Sequence, residues 1–362
     1  MIAWRKAKVW RVIQNEPDLQ ELEVSVDGAP GLAWNLPLLT GRVEVGDEVY
    51  LNTTAVSIGL GSGGYDFVLA NLTRIPDDSA PAQGHIMKLR YTPLQVSVLA
   101  VEEETSPHHP ALAELSSLEG TPVIAGTLHS QLAPAVAGCL AADHGWRIAY
   151  VMSDGAALPL ALSRIVRRLN DDGLLAGTVT VGHSFGGDLE AVNIYSGLVA
   201  ARQVLKADLI IVTMGPGIVG TGTRWGTTAL EQGEIINAIN ILGGVAIAIP
   251  RISFADPRQR HHGVSHHTLT ALGMVALSSA AIACPVLPAD QWQVVQEQLL
   301  RSGILDRHRL LVRDGWPALR LLEQRAIPVD SMGRGIDDDP ACFLSAGAAG
   351  MIADEMLSGN QT

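Results

Sequence analysis

The sequence predicts an α/β protein in which a small all-β, barrel-like unit precedes a doubly wound domain built on a mostly parallel sheet. Three observations carry the prediction. Residues 1 to about 75 hold short strand-length segments separated by tight turns. From about residue 85, apolar runs alternate with amphipathic segments of helical length. The composition is 47% hydrophobic with 37 glycines and only 4% aromatic residues, which suits a sheet of Val, Ile, Leu and Ala buried on both faces.

The first unit is read from KVWRVIQ, LQELEVSV, GRVEVGDEVYL and YDFVLANL, with Asn-Glu-Pro-Asp, Asp-Gly-Ala-Pro-Gly and Gly-rich turns between them. Val45 to Val49 reads as a hairpin in which Gly46 and Asp47 supply turn chemistry. The stretch IPDDSAPAQG, residues 75–84, is rich in Pro, Asp and Ser and reads as a linker, dividing the chain into 1–84 and 85–362. Beyond it the runs LQVSVLAVE, TPVIAGTL, WRIAYVM, GTVTVGH, ADLIIVTMG, GVAIAIPRI, ACPVL and HRLLVRDG read as strands. The intervening LAPAVAGCLAADHG, LPLALSRIVRRLN, LEAVNIYSGLVAARQVL and ALEQGEIINAINILGG read as helices, so the segment is a series of βαβ units. The tail reads as a helix, a connection and a closing helix that starts after Asp337, Asp338 and Asp339, where carboxylates meet the positive end of the dipole.

Bulk properties exclude some functions. At 362 residues the chain exceeds the usual size of one core. A net charge of -12 argues against general nucleic-acid binding, which needs basic surface. Three distant cysteines, Cys139, Cys284 and Cys342, give neither a disulfide framework nor a C-x-x-C site, and the cytoplasm is the natural compartment. The N-terminus lacks the apolar stretch of a signal peptide. The uncharged run 271–288 contains serines and a proline and reads as a buried helix leading to a strand, so no membrane span is expected. The many small apolar residues are compatible with a homo-oligomer.

In an open α/β sheet, ligands bind beyond the carboxyl ends of the strands. Those positions are polar here: His129 after one run, Asp154 after the next, then His183, Ser184 and Asp188. Gly182-His183-Ser184-Phe185-Gly186 has the form of a nucleophile elbow, which would make Ser184 a serine-hydrolase nucleophile. That reading lacks an acid and a base from separate later strands, and the glycines alone account for a tight turn. His129, Asp154, His183, Ser184 and Asp188 are therefore acid/base or nucleophile candidates, with helix capping as the plain alternative for Asp154.

Gly215, Gly217 and Gly220 form a G-x-G-x-x-G after a strand, but the chain continues through Gly222 and Arg224 before the next helix, so an NAD site is not expected. The loop can instead cradle an anion through backbone amides, or simply connect. The segment 251–268 gathers Arg251, Asp256, Arg258, Arg260, His261, His262, Ser265, His266, His267 and Thr268, of which His262, His266 and His267 are the candidate metal ligands. Its Arg side chains suit a phosphate or carboxylate, and its histidines suit a metal ion, although their spacing matches no standard set. The alternative is structural: Asp256 pairs with an Arg, and Ser265 caps the helix that follows.

The runs GTLHSQLAP, DGAALPLALSR, FGGDLEAVN, MGPGIVGTGT and SFADPR, in this order, resemble an uncharacterised bacterial family known only as a domain of unknown function. The resemblance covers nearly the whole chain, including LPLLTG and GDEVYLNTTA near the start, and implies no reaction. The residues themselves point to an enzyme acting on a small anionic ligand in the strand-end crevice. A non-catalytic metabolite-binding or scaffold protein and a serine hydrolase are the alternatives.

Overall fold

A computed structural model describes residues 2–76, 84–113 and 117–359, which fall into two compact units, 1–99 and 100–362. Of the expected linker, residues 77–83 lie outside the described ones. The first unit is a closed five-stranded barrel of β1 (Trp4–Asn15), β2 (Gln20–Val26), β3 (Ala29–Asn35), β4 (Glu48–Asn52) and β5 (Tyr65–Asn71), in the order β1-β2-β3-β5-β4. Closure removes the exposed edges that would otherwise invite pairing. Alternate residues fill the interior, among them Val9, Leu22, Val24, Val49 and Leu51. Asp47 serves the turn before β4 as expected, its carboxylate accepting the Glu44 amide at 2.9 Å beside Gly46 at φ +96°. Short helices α1 (Pro37–Thr40) and α2 (Thr54–Ser57) and a hairpin of β6 (Ile86–Lys88) and β7 (Val96–Val98) complete this unit.

The second unit opens with α3 (His109–Ala113) and contains one eight-stranded sheet, every neighbouring pair of which is parallel. Its strands are β8 (Pro122–Ala125), β9 (Ile148–Ser153), β10 (Gly177–Val181), β11 (Leu189–Ala191), β12 (Leu209–Met214), β13 (Val245–Ala248), β16 (Ala281–Pro285) and β17 (Arg309–Arg313). A two-residue pair, β14 (Ile252–Ser253) and β15 (Gly263–Val264), stands outside the sheet. The order is β11-β10-β9-β12-β8-β13-β16-β17. The chain thus runs outward from β8 to β11, returns to insert β12, then runs outward through β13 to the other edge. The carboxyl ends of β12, β8 and β13 are where the direction of winding reverses, which is where such folds bind ligands.

The helices divide between the faces. Packed on one face are α6 (Ile194–Gln203), α7 (Glu231–Ile241) and α9 (Ala289–Arg301); on the other are α4 (Leu132–Leu140), α5 (Arg164–Asp171), α10 (Trp316–Gln324) and most of α11 (Pro340–Leu357). Successive strand residues serve the two cores in turn: Val123 and Ala125 face one and Ile124 the other, as do Ile210 and Val212 against Leu209 and Ile211. This is why the strands read as continuous apolar runs rather than alternating ones.

One local expectation is corrected. No helix follows the Gly-x-Ser-x-Gly directly; the chain first adds β11 at the sheet edge, and α6 starts only where the Asn193 side chain accepts the amides of Tyr195 and Ser196. The uncharged run 271–288 opens with a π-turn over Ala271–Val275 that continues α8 (His266–Thr270) and leads into β16, the helix and strand expected, and among the described residues no helix is long and apolar enough to cross a membrane.

Candidate functional site

The residues after β9 and β10 lock together. Asp154 accepts the His183 amide at 3.0 Å, and a side chain at Gly182, where φ is +64°, would collide with the Asp154 carboxylate. Ser184 is fully buried, and its hydroxyl donates to the Ser153 carbonyl at 3.0 Å. An elbow nucleophile needs an exposed hydroxyl at the top of the turn, so the nucleophile role expected for Ser184 does not fit its placement. Asp188 is also displaced from the crevice: it returns along the edge of β10 and accepts both the amide and the hydroxyl of Thr178 at 2.8 Å, near the amino end of that strand.

His129 does stand at the carboxyl end of β8, with Nε2 2.6 Å from Ser163 Oγ, the residue that caps α5, and Nδ1 3.4 Å from the Tyr150 hydroxyl. Burial pushes its pKa down from 6.5 to about 4, against the pull of a backbone hydrogen bond to Met214. Between those pH values the unfolded chain holds a proton that the native ring refuses, so stability falls as pH drops through this window and is complete above it. The full contribution is about 3 kcal/mol. Unfolding free energies of wild type and His129→Gln, compared across the window, should converge toward the acid end; a constant difference would show that the ring is not held neutral.

The Gly-rich segment links the two halves of the crevice. A side chain at Gly215 would reach 2.5 Å from the Ala157 carbonyl, and one at Gly220 would reach 2.7 Å from His267 Cε1. No helix opens at the third glycine: Thr221 and Gly226 close a loop at 2.8 Å, and α7 begins only at Glu231. Gly217 and Gly222 have φ of +101° and +81°, and the amides of Gly217, Gly220 and Gly222 take no part in backbone hydrogen bonding among the described residues.

The segment after β13 corrects the expected anion binders. Arg258 clasps Asp256 through two bonds of 2.9 and 2.7 Å, and the buried Arg251 reaches the same carboxylate at 3.2 Å. Arg334 lies 3.6 Å from Asp256 and 3.4 Å from Asp339, which also accepts from Ser253 at 2.5 Å. Arg258 holds the Asp256 carboxyl far below the usual carboxylate range. Arg251 and Arg258 are therefore engaged internally rather than offered to a ligand. Arg260 differs: it is exposed, forms no ion pair among the described residues, and its Nη1 lies 3.7 Å from where a Gly222 Cβ would stand.

Beside it the histidines converge, though not in the expected set. The single 3-10 turn Gln259–His261 directs His261 inward, with Nδ1 2.8 Å from Ser265 Oγ. The following His262 turns away and sets its ring edge-on to Phe254, with centroids 5.3 Å apart. His261, His266 and His267 instead form the cluster, with one nitrogen from each mutually within 4.8 Å. His266 Nε2 and both ring nitrogens of His267 are buried without a hydrogen-bond partner among the described residues. Burial and the neighbouring arginines lower the pKa of all three, to about 3 for His261 and about 4 for His267. Ser265 caps α8 as expected, accepting the His267 amide at 3.3 Å.

Several participants escaped the sequence reading. Gln232 donates to the carbonyls of Ala125 and Ile249, bridging the ends of β8 and β13, while its Oε1 is buried and without a partner among the described residues, as are Gln131 Nε2 and Thr127 Oγ1. Glu231 accepts from Ser153 at 2.7 Å, and burial raises its pKa. These residues sit at helix starts, where polar side chains are ordinary, so nothing local marked them. A cavity of about 390 Å³ lies elsewhere, between β17 and the end of α11, where Arg313 is already bound by Glu355.

Parallel-sheet winding, a glycine loop at the switch point and converging polar side chains define the class: a doubly wound α/β protein whose candidate site lies at the strand ends. Residues 32–350 match the family model described as "Protein of unknown function (DUF3866)", and the chain belongs to that family. A comparison with curated proteins gives no match.

Proposed function

We propose that the crevice at the carboxyl ends of β8, β12 and β13 is the active site of an enzyme whose substrate is a small anion bearing a phosphate or carboxylate. The observation that carries this reading is Arg260: its guanidinium stands over the glycine loop with no ion pair among the described residues, while Arg251 and Arg258 are held by Asp256. A guanidinium offers a planar fork of donors matched to phosphate and carboxylate oxygens. The amides of Gly217, Gly220 and Gly222, which take no part in backbone hydrogen bonding among the described residues, add donors of the same sense.

The test is calorimetric titration with inorganic phosphate and with succinate. Wild type is expected to bind one of them in the millimolar range or tighter, and Arg260→Gln to weaken that affinity about tenfold or more, a loss of about 1.4 kcal/mol. Absence of binding by wild type, or equal binding by Arg260→Gln, would overturn the reading. Binding without turnover of any phosphate or carboxylate ester would move the site to the class of metabolite-binding proteins.

A further inference from the structure

We propose that His261, His266 and His267 form a three-imidazole site for a divalent transition-metal ion, zinc fitting the donor set best, with a fourth position facing the glycine loop. The inference goes beyond the anion reading and does not rest on it. Its first support is geometric: one nitrogen from each ring lies within 4.8 Å of the others, and neighbouring ring centroids are 4.2 to 5.2 Å apart. Three nitrogens bound to one tetrahedral ion at about 2.0–2.1 Å stand roughly 3.3–3.4 Å apart, so binding draws the rings together from within that bound.

The second support is independent of spacing. His267 is only 4% exposed, yet neither of its ring nitrogens has a hydrogen-bond partner among the described residues, and the same holds for His266 Nε2. A buried polar atom without a partner forfeits the solvation it had in water, and an ion bound here would satisfy His266 Nε2 and one of the two His267 nitrogens. His261 is arranged differently but to the same end. Its Nδ1 faces the Ser265 hydroxyl at 2.8 Å, which orients the ring and leaves Nε2 as the nitrogen available to the ion. Ser265 also receives the His267 amide, so one hydroxyl positions two of the three rings.

The surroundings indicate what completes the coordination. Three neutral imidazoles leave the ion its full double charge, and Asp256, a carboxylate whose charge reaches His261, is held by arginines. The fourth ligand is therefore a water, a hydroxide or an exogenous anion rather than a protein carboxylate. Gly220 borders this position, because any side chain there would strike the His267 ring.

The test uses the full-length chain, purified without a tag or chelator, stripped of metal and titrated with zinc and with cobalt. Wild type is expected to bind one equivalent, with cobalt showing the visible absorption of a tetrahedral site. His261→Ala and His267→Ala should lose that equivalent, His262→Ala should keep it, and Ser265→Ala should bind roughly 10–100-fold more weakly as a positioning residue. Circular dichroism of the metal-free variants separates lost ligation from lost folding. The wild-type titration needs no variant, so a chain that binds neither ion overturns the proposal, as does loss of binding in His262→Ala equal to that in His267→Ala. Arg260→Gln should retain the metal; if it does while phosphate binding is unaffected, the anion reading fails and the metal site stands.

Discussion

Replacing Asp256 with alanine is expected to destabilise the second unit by about 3–5 kcal/mol, the cost of removing one partner from a buried ion pair. The Asp256 side chain is fully buried and is shared by Arg251, Arg258 and Arg334. Its loss strands the Arg251 guanidinium, itself 5% exposed, in a site that water cannot reach. Arg258 is partly exposed and can turn toward solvent; Arg251 cannot. Urea unfolding followed by circular dichroism would show a lower midpoint for Asp256→Ala. Adding Arg251→Met should recover part of the loss, because the pair is then replaced by apolar volume rather than broken. A cost below about 1 kcal/mol for the single variant would mean that the arginines find other anions or water.

The second large effect is expected at Gly350, where α11 crosses α4. A β-carbon there would strike the Ala135 carbonyl, and would come within 2.7 Å of the Cys139 amide and of Gly138 Cα. The reverse holds at Gly138, whose β-carbon would strike the Gly347 carbonyl. These obstacles are backbone atoms, so no side-chain rotation relieves them; the helices must separate and open the core around Ile124, Val136 and Ile352. In an exposed helix interior, Gly→Ala stabilises by up to about 1 kcal/mol. Here the sign reverses: Gly350→Ala should destabilise, and Gly350→Val should cost roughly 3 kcal/mol or more, the upper range of overpacking. Thermal unfolding of the pair of variants checks this, and a stabilised Gly350→Ala would show that the crossing is loose.

Much of the fold was legible before the structure. The apolar runs are the strands of the parallel sheet because burial on both faces demands continuous hydrophobicity, and turn residues such as Gly46 and Asp47 act within a few positions of themselves. The strand ends that carry the candidate site were legible for the same reason, since they are defined by where the runs stop. The roles of individual residues were not. Asp188 and Glu190 follow the same strand end, yet a reversal into β11 carries Asp188 back beside Thr178. Ser184 has the neighbours of a nucleophile but turns inward to the Ser153 carbonyl.

What this sequence determined by itself is periodic and local: a barrel unit, an α/β unit, the helix start at Ser265 and strand ends followed by segments rich in Gly, Arg and His. What only the tertiary structure decided is non-periodic and distant. The 3-10 turn at Gln259–His261 selects His261 over its neighbour His262, and one residue of rotation changes which ring joins the cluster. Arg334 and Asp339, far along the chain, help consume the charges of the segment after β13, leaving Arg260 as the arginine of that segment without an ion pair among the described residues. Patterns of period two or 3.6 record which face a residue shows its own element; they hold no record of which partner from another element will meet it there.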